Sequence, residues 1–260
     1  KQVGGGGSSI FGTYRYWKPK KLREIHVWDN FVQRFKFYSA GKEIWNNVVK
    51  DFSVKSNLIV INDSVLNLDK HIKPDTIDYI YTDPPYGGNI AYLDLSTMWN
   101  AWLGFKISKE TREEEIIEGG DLDKSQENYE ELFSKSFEVM GKVLKKDGWM
   151  SLVFAHKKLE FWNTIIDSSE SNGMEFFGST FQPTNNSSIH YKKNPSNVLC
   201  SQRIANFKKT FKYSKIERTD DVANYILNEI ERSCLETRGA SIDRIYQRVL
   251  DKLLDNKMIY

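Results

Sequence analysis

Ile77-Asp78-Tyr79-Ile80-Tyr81-Thr82-Asp83-Pro84-Pro85-Tyr86 is the stretch on which the fold of this chain turns. A short run of β-branched and aromatic residues leads straight into two prolines. Such a run suits a buried parallel strand, and proline, which lacks an N–H donor and has a restricted φ, ends it. In open α/β sheets, ligands collect at the carboxyl ends of strands. The four residues after the run therefore stand where a site belongs. The two prolines make a stiff turn that holds Asp83 and Tyr86 in fixed relation. Asp83 offers a carboxylate acceptor, Pro84 a carbonyl acceptor, and Tyr86 a flat face for a planar ring. Two acceptors beside a stacking platform would grip the exocyclic amino group of an aromatic base. The bland alternative is a Pro-Pro loop with a surface tyrosine. The strand before the turn argues against it, as do Gly87 and Gly88 after it, where a ligand can approach the backbone closely.

Upstream, Asn57 to Asn62 (NLIVIN) is a second apolar run, ending in Asp63-Ser64. These two residues suit a helix N-cap. Downstream, the pattern predicts a helix over 90–103, an acidic helix over 108–118 and a long amphipathic helix over 126–145. In the last, Phe133, Phe137, Met140, Val143 and Leu144 share a face, and Asp147-Gly148 closes it. A strand at 149–155, a helix at 159–169 and strands at 174–181 and 197–207 follow. Tyr92, Leu95, Trp99 and Trp102 recur at helical spacing and are expected in the core. His156 and Lys157 end a strand, either near substrate or in a charged loop, the loop being favoured. This order predicts an α/β fold, a mostly parallel doubly wound sheet with a C-terminal antiparallel hairpin at its edge.

The flanks differ in composition. Residues 1–18 include GGGGSS at Gly4–Ser9, a flexible composition. Residues 19–50 read as helical, with a second helix from Gly41 to Phe52. After residue 213, the stripes Val222, Tyr225, Ile226, Ile230 and Ile242, Ile245, Val249, Leu253 predict a helical tail. That tail is a winged-helix-like unit or, in the favoured reading, a packing cap. The chain thus divides into a flexible segment 1–18, a catalytic domain 19–212 and a tail 213–260.

With 260 residues, 40% hydrophobic and 28% charged, the chain can bury a core and stay in solution. A net charge of +2 excludes a polycation built for indiscriminate nucleic-acid coating. Two local clusters remain as candidate phosphate contacts: Lys18, Lys20, Lys21 and Arg23, and Arg203, Lys208, Lys209, Lys212, Lys215 and Arg218. No apolar run approaches the ~18 residues of a membrane span, and no signal-peptide pattern occurs. Cys200 and Cys234 stand alone, so no metal cluster is expected, and a reducing cytoplasm is.

Asp83-Pro84-Pro85-Tyr86 resembles motif IV of the DNA N6-adenine and N4-cytosine amino-methyltransferases. The likeness runs on through Gly87-Gly88-Asn89-Ile90-Ala91-Tyr92-Leu93-Asp94-Leu95-Ser96, Trp99 and Trp102-Leu103, which look like an adenine-specific branch. Phe154-Ala155-His156-Lys157 with Trp162, and Phe181-Gln182-Pro183-Thr184, are similar to that branch too. The resemblance covers about residues 57–207. It implies a Rossmann-like methyltransferase fold, S-adenosyl-L-methionine as cofactor and DNA as substrate. It also implies that Asp83 and the Pro84 carbonyl accept from the target amino group, with Pro85 stiffening the turn, while Tyr86 stacks on an extruded base. The acid at Asp63, with Ser64, would lie near the cofactor adenine. Restriction-modification is one setting of such enzymes; the sequence leaves restriction, regulation and defence open.

One family motif is absent: the glycine-rich Phe-x-Gly-x-Gly turn after a first strand. Phe11-Gly12 and Gly4–Gly7 do not match it. The fold is therefore expected to be incomplete at its N-terminal half. The glycine-rich element would come from a partner polypeptide or a missing segment. The alternative is a non-catalytic methyltransferase-like subunit that binds DNA or a partner chain.

Overall fold

The computed structural model describes residues 26–50, 59–88, 90–183, 201–210, 222–236, 242–256 and 258. The chain falls into two units, Lys1–Asn62 and Asp63–Tyr260. In the first, Val27–Lys50 is one helix, α1, without the break expected at Gly41. Trp28, Phe31, Phe35 and Tyr38 follow one another along it, with Trp28 and Phe31 stacked at 5.6 Å. The strand expected at Asn57–Asn62 does not form in its described part. Ile59 and Val60 are more than four-fifths exposed and extend no ladder. A β-branched run becomes a strand only where a neighbour takes up its N–H and C=O groups, and none is paired with it.

The second unit carries the sheet. A 3-10 turn Val65–Asn67 and a short helix α2, Leu68–His71, lead into β1, Ile77–Thr82. Then come α3 (Tyr92–Leu103), α4 (Lys109–Glu114), α5 (Gln126–Val143), β2 (Leu144–Phe154), α6 (Leu159–Ser171), β3 (Met174–Pro183) and β4 (Ser201–Lys209). Two helices follow, α7 (Val222–Glu236) and α8 (Ile242–Asp255).

The strand order is β1-β2-β4-β3. β1 and β2 pair parallel, with Tyr81 opposite Ser151 and Thr82 opposite Leu152. β4 runs antiparallel to both β2 and β3. Three strands therefore share one direction, and the α/β expectation holds. The antiparallel hairpin expected at the sheet edge is there: β3 and β4 pair beyond β2, with β4 against β2 and β3 outermost. Arg203, Ala205, Phe207 and Lys209, every second residue of β4, are nearly fully buried, so one face of the strand is covered.

The core has a simple origin. Helix α5 starts at Ser125, whose hydroxyl accepts from the Asn128 N–H at 3.2 Å. Tyr129, Phe133, Phe137, Met140 and Val143 then recur at three- and four-residue steps and are buried. They pack with Met150, Leu152 and Phe154 of β2 and with Phe161, Trp162 and Ile165 of α6. α5 ends at Val143 rather than at Asp147-Gly148. Leu144 already pairs with Ile77, and the excursion before Trp149 is taken at Asp147, with φ +63°. Val249, Leu250, Leu253 and Leu254 of α8 join the same core. Tyr246 of α8 also donates to the Lys157 carbonyl. The last helix is therefore packed on the sheet unit.

Two expectations about surface and core are reversed. Tyr92, Trp99 and Trp102 of α3 are exposed, at 53%, 57% and 84%, rather than in the core. Among the described residues β1 is the edge strand of its sheet, and Tyr79 and Tyr81 are exposed. Conversely, Arg203, Lys208 and Lys209 do not form a free basic face. Arg203 pairs with Asp251, Lys208 with Asp147 at 2.9 Å and Lys209 with Asp75 at 2.9 Å. Lys209 Nζ also donates to the carbonyls of Gly141 and Leu144, each at 2.7 Å. Lys212, Lys215 and Arg218, and the cluster at Lys18–Arg23, lie outside the described residues.

Candidate functional site

The turn after β1 sits at the carboxyl edge of the sheet, beside the end of β2 and, because β4 is antiparallel, beside the start of β4. Phe154 stands opposite Arg203, and Phe181 of β3 reaches the same row. Each group of the turn is held differently. The Pro85 carbonyl accepts from the Tyr129 hydroxyl at 2.6 Å, from a fully buried side chain of α5. The Gly87 carbonyl accepts from the Glu118 N–H at 3.4 Å. Among the described residues nothing donates to the Pro84 carbonyl. Asp83 is exposed, and one of its oxygens, Oδ1, accepts from the Tyr86 hydroxyl at 2.6 Å.

Tyr86 is half-buried. Phe154 meets its ring in a T-shaped contact, with centroids 5.1 Å apart. Among the described residues no ring stacks parallel on it. Its hydroxyl donates to Asp83 and accepts from Gln202 Nε2 at 3.0 Å. Burial, and then the neighbouring Asp83 carboxylate, push the phenol well above its ordinary range. It is therefore a neutral donor at any working pH. Burial pushes Tyr129 up in the same way. Beside this neutral ring stand the exposed Asp83 carboxylate, with Oδ1 taken by Tyr86, and the Pro84 carbonyl, which has no donor among the described residues.

The segment between α3 and α5 braces the turn. Glu115 Oε1 accepts from the Leu93 N–H at 3.0 Å at the start of α3. Lys124 Nζ donates to the carbonyls of Glu113 and Glu115, both at 2.6 Å. Gly119 and Lys124 form an isolated bridge. A side chain at Gly88 would stand 2.8 Å from the Glu118 carbonyl, so glycine is needed where the two segments meet. Gly87 turns through φ +60°, with Glu118, His156 and Phe161 around it.

His156 follows β2 and is packed edge-on to Phe161 at 4.4 Å. Its Nδ1 accepts from the Lys158 N–H at 3.0 Å, which puts the ring proton on Nε2. Burial first, and the charge of Lys158 second, push the imidazole down to about 4. It is thus a neutral group beside the turn. Lys158 Nζ reaches Glu118 at 3.2 Å and Gln126 at 2.8 Å, tying α6, the brace and α5 together. Trp162 is buried, and its indole N–H donates to the His156 carbonyl at 3.1 Å.

Asp63 and Ser64 share no described contact with the tetrad. Ser64 caps the 3-10 turn, its hydroxyl accepting from the Leu66 N–H. Asp63 Oδ1 accepts from Ser64 N–H at 2.7 Å and Asn67 at 2.9 Å, and Oδ2 lies 2.6 Å from His71 Nε2. These bonds, His71 foremost, hold its carboxyl down at about 2. The carboxylate is committed to its own segment, and no Phe-x-Gly-x-Gly turn follows a strand among the described residues. They do not fit S-adenosylmethionine as a complete pocket. Among them there is also no group of three His, Cys, Asp or Glu placed to hold a metal ion, and no helix long and apolar enough to cross a membrane.

Tyr129, Glu118 and Gln202 carry no motif of their own. Tyr129 shows in sequence only as one more apolar-stripe residue. Gln202 lies 116 residues from Tyr86 and is seen only once β4 is placed inside the sheet.

No family model matches the chain, and no curated protein matches it. Solved structures do. One is a protein of Thermus thermophilus assigned as a DNA modification methylase and complexed with S-adenosyl-L-methionine. The likeness has a TM-score of 0.34 at 10% identity, over 65% of this chain and 60% of that one. A second is the cytosine-N4-specific PvuII DNA methyltransferase, at 0.39 and 16%, over 60% of this chain and 50% of that one. A third, from Galdieria sulphuraria, is assigned as a sarcosine dimethylglycine methyltransferase, at 0.34 and 10%, over 64% of each chain. The chain spans about 60% of the length of the first of these, and at such scores the superpositions are too loose to carry an assignment.

Proposed function

We propose that this chain carries the amino-group-gripping part of an S-adenosyl-L-methionine-dependent DNA methyltransferase, acting at adenine N6 in preference to cytosine N4. One observation carries the reading. Of the carbonyls in the turn, Pro85 and Gly87 are bonded within the protein while Pro84 has no donor among the described residues, beside an exposed Asp83 carboxylate and the Tyr86 ring. Two acceptors set against a ring suit an exocyclic –NH2, which has two protons to give, on a base flipped from its stack.

The chain's residues contribute position. Asp83 and Pro84 accept from the amino group and turn its lone pair outward, and Tyr86 holds the base plane. His156 and Lys158 hold the brace behind the turn. The groups that grip the methyl donor come from a partner polypeptide or from a segment beyond the described residues, with Asp63 and Ser64 as this chain's candidates at that boundary. Transfer of a labelled methyl group into unmethylated genomic DNA, alone and with the polypeptide encoded upstream, tests the reading. Nucleoside analysis then separates N6-methyladenine from N4-methylcytosine. Labelled N6-methyladenine is expected. Label in neither base under any pairing, with no cofactor heat by calorimetry, would favour a non-catalytic subunit.

A further inference from the structure

We infer that Gln202 is a positioning residue for the stacking ring, acting through the Tyr86 hydroxyl; this rests on the proposed amino-group site. A phenol has one proton to donate and accepts through its oxygen. Gln202 Nε2 donates to that oxygen at 3.0 Å, so the phenol proton must point elsewhere, and it points to Asp83 Oδ1 at 2.6 Å. The relay Gln202 to Tyr86 to Asp83 has three consequences. It pins the ring at its far end, while Phe154 supports it from the side. It gives Asp83 a fixed donor on Oδ1, leaving Oδ2 as the carboxylate oxygen turned to a substrate amino group. It couples the turn after β1 to the start of β4, so the geometry of the amino-group site depends on a strand far away in sequence. A phenylalanine at 86 would stack as well but would lose both contacts.

The test is a double-substitution cycle of Gln202→Ala and Tyr86→Phe, read by methyl transfer, together with a 19F spectrum of the chain labelled with 3-fluorotyrosine, without DNA or cofactor. The Tyr86 resonance is assigned by its loss in Tyr86→Phe. Gln202→Ala is expected to shift that resonance. So is Gln202→Glu, which keeps the length but removes the donor. Each of Gln202→Ala and Tyr86→Phe is expected to lower kcat about tenfold, as a misplaced ring would, with the double variant no worse than Tyr86→Phe alone. Losses that multiply would show that Gln202 acts through bulk packing, and an unmoved Tyr86 resonance in both Gln202 variants would show that the contact does not exist. Either result overturns the proposal. A wild-type chain that transfers no methyl under any pairing, yet shows the resonance shift, overturns the methyltransferase reading and leaves the Gln202–Tyr86 contact standing.

Discussion

Pro84 and Pro85 are adjacent, yet their carbonyls have different fates: that of Pro85 is taken by Tyr129, and that of Pro84 has no donor among the described residues. The difference makes the turn more than a stiff loop, because one of the two oxygens keeps its capacity to accept. Tyr129→Phe removes the bond at Pro85 and leaves a partly buried carbonyl unsatisfied. The expected cost is about 1–3 kcal/mol in chemical denaturation, with a larger fall in methyl transfer because the turn loosens. A variant equal to wild type in both would show that the bond does not hold the turn. His156 supplies the pH-dependent residue. Its imidazole is held down at about 4, against about 6.5 for an unfolded histidine. Between these values the unfolded chain takes the proton and the native chain does not. This contribution to stability is thus complete above about pH 6.5 and lost as pH falls toward 4. His156→Gln is expected to flatten the decline of the urea midpoint across that window. An unchanged decline would place His156 in water.

At the scale of elements, period decided what was legible. The β1 run and Phe133, Phe137, Met140 and Val143 of the α5 face could be read because an apolar run and helical spacing are local properties. The place of β4 could not, since two antiparallel neighbours in sequence look alike whether the second lies at an edge or inside. Only the ladders to β2 on one side and β3 on the other mark it as internal. Asn57–Asn62 has a strand's composition, but its described residues pair with no neighbour, and propensity without a partner makes no strand. The brace at 115–124 was legible only as an insertion, because its contacts are made by carbonyls and by Glu115, Glu118 and Lys124 across distant segments. Lys209 offers the test at this scale. Lys209→Met strips the donor from the Gly141 and Leu144 carbonyls at the junction of α5 and β2, and is expected to destabilise by roughly 3 kcal/mol. A loss below about 0.5 kcal/mol, the scale of a surface substitution, would mean that Lys209 is no more than a solvated basic residue.

The sheet unit as a whole presents a closed core on α5, α6 and α8, and an open side at β1 with Tyr79 and Tyr81 exposed. An edge strand leaves a row of unpaired backbone groups. The proposed division of labour follows the same line: the amino-group half of a site is assembled at the carboxyl end of β1, and the cofactor half is expected from another segment or chain. The likeness to motif IV is carried by four consecutive residues, and their roles stand or fall with Asp83. The most direct measurement is therefore transfer of a labelled methyl group to DNA by the Asp83→Ala variant against wild type, each combined with the upstream polypeptide and matched for thermal stability. Loss of incorporation by at least about a hundredfold, with the melting temperature unchanged, is the predicted result. Incorporation at the wild-type rate would show that the exposed carboxylate does not grip the amino group, and would remove the ground for assigning this turn to methyl transfer.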